Sequence, residues 1–246
     1  MNERLQHPVA AMILAAGRGE RMRPLTDSRP KPLLEVRDRP LIEWHVLRLA
    51  AAGFRRIVIN LAWLGAQIRD HLGDGARYGV SIVYSEESPR ALETAGGIIR
   101  ALPLLSPGPF VVINGDIYTD FPFETLRLRE PRPAGAEADA DAGGAGEPAM
   151  DAHLVLVPNP PQHPAGDFGV DGAGLALPAA ATQFTFAGIA VYRMEFFSGC
   201  TDGVLPLKPL LLKSMAVRRC TAELYEGVWE DVGTPQRLAA LNAGPI

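Results

Sequence analysis

Cysteine is scarce in this chain: Cys200 and Cys220 are the only two among 246 residues, and they lack the close paired spacing of a zinc or redox site. Two free thiols suit a reducing compartment, and neither is given a role. No apolar run approaches the length needed to span a bilayer. The opening stretch, Met1 to Pro8, is polar and lacks the apolar centre and cleavage site of a secretory signal, so a cytoplasmic protein is expected. Excess positive charge is also missing: the formal net charge of -4 leaves no basic footprint for nucleic acid. There is no internal repeat and no hexapeptide solenoid after Gly233. These absences leave one catalytic domain over residues 1–246 as the expectation, with a monomer favoured.

What is present alternates between strand and helix patterns. Val9 to Leu14 is a short apolar run that ends at Ala15-Ala16-Gly17, a buried strand running into a tight turn. Pro40 opens a helix carrying Leu41, Trp44, Leu47 and Leu49, which Gly53 ends before the strand Ile57-Val58-Ile59. A second unit follows, with a helix from Gly65 to Leu72 stopped at Gly73 and a strand from Val80 to Tyr84. Thr94 is expected to cap a helix through Leu102. Phe110 to Ile113 then reads as a buried strand that delivers Asn114-Gly115-Asp116 at its carboxyl end, where open parallel sheets bind ligands. Residues 131–150 shift to Ala, Gly, Pro, Asp and Glu, a composition too poor in large apolar residues to offset ordering entropy, and are expected to form a disordered surface insertion. Its Asp139-Ala140-Asp141 triplet has no packed context for a metal. After it come strands at His153 to Val157 and Phe184 to Tyr192, a hairpin of Cys220 to Tyr225 with Val228 to Asp231 around Glu226-Gly227, and a closing helix from Thr234-Pro235. The fold class implied is α/β: a Rossmann-like mixed, mostly parallel sheet flanked by helices.

The richest chemistry lies in Leu14-Ala15-Ala16-Gly17-Arg18-Gly19-Glu20-Arg21-Met22-Arg23-Pro24-Leu25-Thr26, followed by Lys31-Pro32. Small residues let backbone amides approach a ligand, and arginines supply charge. Met22 stands where a dinucleotide fingerprint needs its third glycine, and Gly19 is not followed by the Gly-Lys-Ser/Thr of a P-loop. The physical reading is a loop around a triphosphate, with Arg21 opposite the β and γ phosphates and Lys31 opposite the phosphorus under attack. A lone arginine is usually a solvated surface charge, but this cluster follows a buried strand.

These residues resemble the L-x-G-G/A-G-x-G-x-R-(L/M)-x-P-L-T…K-P motif of the sugar-1-phosphate nucleotidyltransferases. Leu92-Glu93-Thr94-Ala95-Gly96-Gly97, Asn114-Gly115-Asp116 and Trp229-Glu230-Asp231-Val232-Gly233-Thr234-Pro235 agree with that family in order and spacing. Further segments, Ile59 to Leu64, His71 to Gly75 and Asn159 to Pro164, are similar to its branch of uridylyltransferases that serve bacterial cell-wall recycling with an N-acetylated hexose 1-phosphate. The resemblance implies a nucleotide-diphospho-sugar transferase fold with a small sugar-binding subregion, a nucleoside triphosphate (UTP) and a sugar 1-phosphate as substrates, and magnesium as cofactor. It implies that Asp116 and Asp231 hold the metal, with Arg21, Lys31 and Asp116 catalytic. It assigns the nucleotide to Ala15, Ala16, Gly17, Gly19, Leu92, Glu93 and Thr94, and the sugar to Asn114, Asp167 and Gly188. Glu93 departs from the glycine common in the wider family. Asp116 could instead be a turn residue after a strand, and Asp231 a support for Thr234. His163, Trp63 and Trp229 receive no assignment, since structural uses are commoner for each. Guanylyl or thymidylyl transfer, a catalytically silent nucleotide-sugar sensor and a glycosyltransferase are the alternatives. The last would need an ordered D-x-D.

Overall fold

Three consecutive apolar segments, each followed by a helix pattern, form adjacent parallel strands in a computed structural model that describes residues 5–6, 8, 10–87, 91–105, 107–129 and 149–244. These are β1 (Ala10–Leu14), β2 (Arg56–Leu61) and β3 (Ser81–Glu86), with α1 (Leu41–Ala51) and α2 (Gly65–Leu72) as crossovers. The chain then runs through α3 (Glu93–Ala101), β4 (Phe110–Asn114), β5 (Ile117–Thr119), β6 (Ala152–Val157), β7 (Thr185–Tyr192), α4 (Lys208–Ala216), β8 (Cys220–Leu224), β9 (Trp229–Asp231) and α5 (Pro235–Ala243). The main sheet has seven strands in the order β8-β6-β7-β4-β1-β2-β3. β4, β1, β2 and β3 are mutually parallel, β7 is antiparallel to β4 and β6, and β8 is parallel to β6.

Strand periodicity divides the core in two. Ala11, Ile13, Ile57, Ile59, Val111 and Ile113 face Ile42, Val46 and Leu49 of α1 and Ile68 and Leu72 of α2. Their neighbours Ala10, Met12, Val58, Phe110 and Val112 face Ala95 and Ile98 of α3 and Leu211 and Met215 of α4. Apolar residues on both faces explain the near-continuous hydrophobic runs of these strands. A third, smaller cluster lies at the carboxyl edge of the sheet and joins Met22, Leu34, Val36, Leu41, Tyr118, Val232 and Leu238. Met22, Tyr118 and Val232 stand one or two residues from Arg21, Asp116 and Asp231, the residues for which the sequence suggests a site.

Two expectations are corrected. The hairpin does not form: β8 joins the main sheet beside β6, whereas β9 pairs antiparallel with β5, setting Asp231 opposite Ile117. The two strands serve different cores, since Cys220 and Ala222 are buried against the main sheet and Val232 belongs to the small cluster. Thr94 does not cap α3. The helix begins at Glu93, and the amides of Ala95 and Gly96 donate to the Leu205 carbonyl at 3.0 and 3.1 Å, so a distant segment does the capping. A Cβ at Gly96 would stand 2.1 Å from the Gly203 carbonyl oxygen, which is what that close approach demands. The closing helix is as expected, with the Thr234 hydroxyl accepting from the Arg237 amide at 3.3 Å and Pro235 opening the first turn.

Residues 131–148, with the Asp139 to Asp141 triplet, lie outside the described residues. Met150, at the end of the expected insertion, is buried, and its carbonyl accepts from Arg193 at 3.1 Å. Among the described residues no helix is long and apolar enough to cross a membrane.

Candidate active site

The carboxyl ends of β1, β2 and β4 set the site. In register, Leu14 lies between Asn60 near the end of β2 and Asn114 at the end of β4. Asn114 closes its apolar strand whereas Asn60 interrupts one just before its last residue, Leu61, and the two do different work. Asn60 is buried: its Oδ1 accepts from the Ala15 amide at 2.7 Å, and its Nδ2 donates to Glu87 Oε1 at 2.6 Å. Glu87, also buried, takes the Leu92 amide on its other oxygen at 2.8 Å. This chain of bonds ties the turn after β1 to the entry of α3, and every buried polar group in it has a partner. A Cβ at Gly97 would stand 2.3 Å from Glu87 Oε1, so the second glycine of Gly96-Gly97 makes room for that carboxylate.

Ala15, Ala16, Gly17, Glu93 and Thr94 line a cavity of about 240 Å³ together with Asn60, Glu87, Lys31, Asn114 and Asp116. Nothing in the protein lies within 4 Å of a Cβ built on Gly17, so that backbone faces open space. Gly19 adopts φ +69, in the left-handed region, and closes a neighbouring cavity with Gly17, Arg21, Lys31 and Asp116. Glu93 has φ +60, a strained setting for a side chain. That gives a physical reason for glycine to be common at this position and for the departure to be confined to a residue facing the cleft. Leu92, grouped with it by sequence, is buried and lines none of these cavities; its backbone bonds Glu87 and Leu205.

Asp116 and Asp231 come together. Both line a third cavity, of about 270 Å³, with Arg21, Asn114, His163 and Trp229. The pairing of β5 with β9 fixes them, and the Val232 amide donates to the Asp116 carbonyl at 3.0 Å. Each carboxylate also meets a cation. Lys31 Nζ lies 2.6 Å from Asp116 Oδ2, and Arg237 donates to Asp231 Oδ2 at 2.6 Å. Lys31 is buried, so its charge depends on Asp116 for compensation. Arg21, by contrast, is exposed and makes no ion pair among the described residues. Arg18, three residues earlier, is held by the Trp63 ring at 3.6 Å, by the Thr26 carbonyl and by Asp27.

Asn114 reaches a fourth and larger space, about 450 Å³, shared with Glu93, Thr94, Asp167 and Lys208. Asp167 is turned back towards its own loop: Oδ2 accepts from the Phe186 amide at 3.0 Å and Oδ1 lies 3.3 Å from His163 Nε2. Gly188 lines no cavity described here. With φ +73 and its would-be Cβ 2.5 Å from Asn114 Nδ2, it backs Asn114.

His45 lies in α1 beneath this region, fully buried. Burial pushes its imidazole down to about 4, and proximity to the Ile117 backbone compensates only in part, so it is neutral near pH 7. Neither ring nitrogen has a hydrogen bond of acceptable geometry, and His45 lines none of the cavities.

Sequence reasoning did not find Asn60, Glu87, Arg237 or Lys208 as site residues, and it left Trp229 and His163 unassigned although both line the cavity of the two aspartates. Asn60 had a usable signal, a polar residue near the end of an apolar strand, as Asn114 is at the end of its own. Glu87 and Lys208 had none, because Asn60 in the one case and most of the cavity wall in the other lie far away in the chain; Arg237 stands six residues from Asp231 and had a local signal in that spacing.

Residues 10–140 match the family model described as nucleotidyl transferase. The chain is 48% identical over 236 residues to an N-acetylmuramate alpha-1-phosphate uridylyltransferase of Neisseria meningitidis, covering 95% of this chain and 96% of that protein. It is 35% identical over 246 residues to a protein of the same description from Caulobacter vibrioides, covering 97% of each. Among solved structures, a putative glucose-1-phosphate thymidylyltransferase from Bacillus anthracis superposes with a TM-score of 0.77 at 20% identity, over 95% of this chain and 94% of that one. The inositol-1-phosphate CTP transferase from T. maritima superposes with a TM-score of 0.70 at 15% identity, over 98% of each chain. At such identities the last two speak to the fold alone.

Proposed function

The chain belongs to the nucleotidyl transferase family, and from that premise we propose that it transfers UMP from UTP to N-acetylmuramic acid α-1-phosphate, giving UDP-N-acetylmuramic acid and pyrophosphate. The observation that carries the reading is the meeting of Asp116 and Asp231 in one cleft beside the unpaired Arg21 and the buried Lys31. The full-length likeness to two uridylyltransferases of that description supports the choice of base and acceptor.

The reaction asks for charge placement more than proton transfer. A phosphate oxygen of the acceptor attacks the α-phosphorus in line, a new P–O bond forms, and the bond to the pyrophosphate oxygen breaks with the electron pair leaving on pyrophosphate. The nucleophile is already ionised, so no general base is needed. The histidines near the cleft therefore need no proton role, in keeping with the neutral, enclosed His45. Arg21, with no ion pair among the described residues, would receive the β and γ phosphates. Lys31 would exchange Asp116 for oxygens at the reacting phosphorus, where negative charge is redistributed in the transition state. The backbone of Ala15 to Gly17, held by Asn60, would meet the nucleotide.

The residues fit a magnesium ion. Two hard carboxylates face one cavity, and among the described residues no group of three or more His, Cys, Asp and Glu side chains is gathered for a metal. Magnesium keeps water and substrate phosphates as its remaining ligands, so two protein oxygens suffice. Asp116 and Asp231 would hold it, and it would neutralise the two phosphates as they approach one another. Asp116 and Asp231 would first have to loosen from Lys31 and Arg237, and both cations would then be free to face phosphate.

A panel of four nucleoside triphosphates against several sugar 1-phosphates, scored by pyrophosphate release, tests the proposal. The expected maximum is UTP with N-acetylmuramic acid α-1-phosphate. A maximum at GTP with mannose 1-phosphate, or at a glucose 1-phosphate pair, would move the protein elsewhere in the family. No release from any pair would mean a silent nucleotide-sugar binder.

A further inference from the structure

The space of about 450 Å³, larger than the other three cavities described along the cleft, has two unlike ends. Its near end is made of Glu93, Thr94 and Asn114, which it shares with the cavity assigned to the nucleotide. Its far end is walled by Phe168, Phe186, Pro206, Leu207 and Leu211, and Lys208 stands among them at the start of α4. Lys208 is the one cation lining this space among the described residues. Its ammonium lies over the Phe168 ring, 5.9 Å from the centroid, and it makes no ion pair among the described residues. The nearby carboxylate, Asp167, is already engaged by the Phe186 amide and faces His163. An unpaired cation beside an apolar wall is matched by a ligand group that carries a negative charge next to a small hydrocarbon.

N-acetylmuramic acid bears such a group. Its 3-O-lactyl ether presents one methyl branch and one carboxylate, and this is all that separates it from N-acetylglucosamine. We infer that Lys208 is a specificity-determining residue that receives the lactyl carboxylate, while the apolar wall takes the methyl branch. The inference rests on the acceptor proposed above and adds the residue that selects it. Arg21 and Lys31 serve the phosphate end, leaving the acceptor's second negative charge to Lys208. The carboxylate of Glu93 lines the end shared with the nucleotide cavity and repels an acid there, which favours the position beside the ammonium.

The test compares N-acetylmuramic acid 1-phosphate, its lactyl methyl ester and N-acetylglucosamine 1-phosphate as acceptors for the wild type, Lys208→Met and Lys208→Arg. In the wild type the ester is expected to have a KM about tenfold above that of the acid, the usual scale for one charge-assisted contact at an accessible site. Lys208→Met raises the KM of the acid by about the same factor, leaves the ester unchanged, and leaves kcat unchanged, because the contact is equal in ground and transition states. Lys208→Arg restores the preference. If Lys208→Met moves acid and ester alike, or moves neither while the wild type still uses the acid, the assignment of Lys208 is overturned and the acceptor proposal stands. If the wild type uses N-acetylglucosamine 1-phosphate and ignores the acid, both fall together.

Discussion

At the proposed phosphate end of the cleft the side chains are charged and four of them already form two pairs, Lys31 with Asp116 and Arg237 with Asp231, each at 2.6 Å. At the proposed acceptor end Phe168, Phe186, Leu207 and Leu211 form an apolar wall, and Lys208 is the one cation lining the space among the described residues. The phosphate end is also fixed from below by its own small core, with Met22, Tyr118 and Val232 packed together directly behind Arg21, Asp116 and Asp231. Pre-placed charges stabilise a phosphoryl transition state whatever sugar is attached, whereas shape and one placed cation decide which sugar is accepted. On the proposed function, the contrast gives rate to one end and choice to the other.

That division is open to breakage. Asp116→Asn is expected to lower kcat on the order of a hundredfold or more for every acceptor while the fold survives. A loss confined to one sugar, or near-normal turnover at saturating magnesium, would remove the distinction between the ends. Arg21→Met comes next, with kcat/KM for the triphosphate down by about tenfold to a hundredfold and the ranking of acceptors unchanged. A changed ranking, read from the same pyrophosphate assay, would place Arg21 at the wrong end.

At the acceptor end, Gly188→Ala sharpens the comparison. Its Cβ would meet Asn114 Nδ2 at 2.5 Å in a backbone at φ +73, so Asn114 must be displaced. The KM for the sugar phosphate should rise about tenfold, with a stability loss of about 1 to 2 kcal/mol seen in thermal unfolding, and little change in the KM for UTP. Glu87→Gln has the smallest expected effect on turnover, a few-fold at most, because Glu87 positions the β1 turn only through Asn60. Its cost falls on folding instead, about 1 to 2 kcal/mol for weakening two buried charge-assisted hydrogen bonds. A large kcat loss at unchanged stability would show that Glu87 touches substrate.

The alternating elements of the first half were legible because each strand and helix carries its own period and its own stop, as with Gly53 and Gly73. The loop after β1 was legible for a related reason: Gly17, Gly19, Arg21 and Lys31 lie within a short stretch, and they line one cavity with Asp116. The partner of β9 was not, since strand patterns at 220–225 and 228–231 suit a hairpin equally well. Only the burial of Cys220 and Val232 in separate cores decides otherwise. The Leu205 cap of α3 and the entry of Lys208 into the cleft share that character, being long-range meetings with no local trace. Glu93 was visible as an oddity, and its meaning came only with its positive φ.

Magnesium dependence in Asp231→Asn probes the proposed shared role of the two aspartates most directly, because the pairing of β9 with β5 sets Asp231 in the same cavity as Asp116. Turnover with UTP and N-acetylmuramic acid α-1-phosphate would be followed across a magnesium titration in the variant and the wild type. The expected result is a half-saturating magnesium concentration raised about tenfold or more together with a lower maximal rate. A titration curve that superimposes on the wild type would contradict a metal held jointly by Asp116 and Asp231.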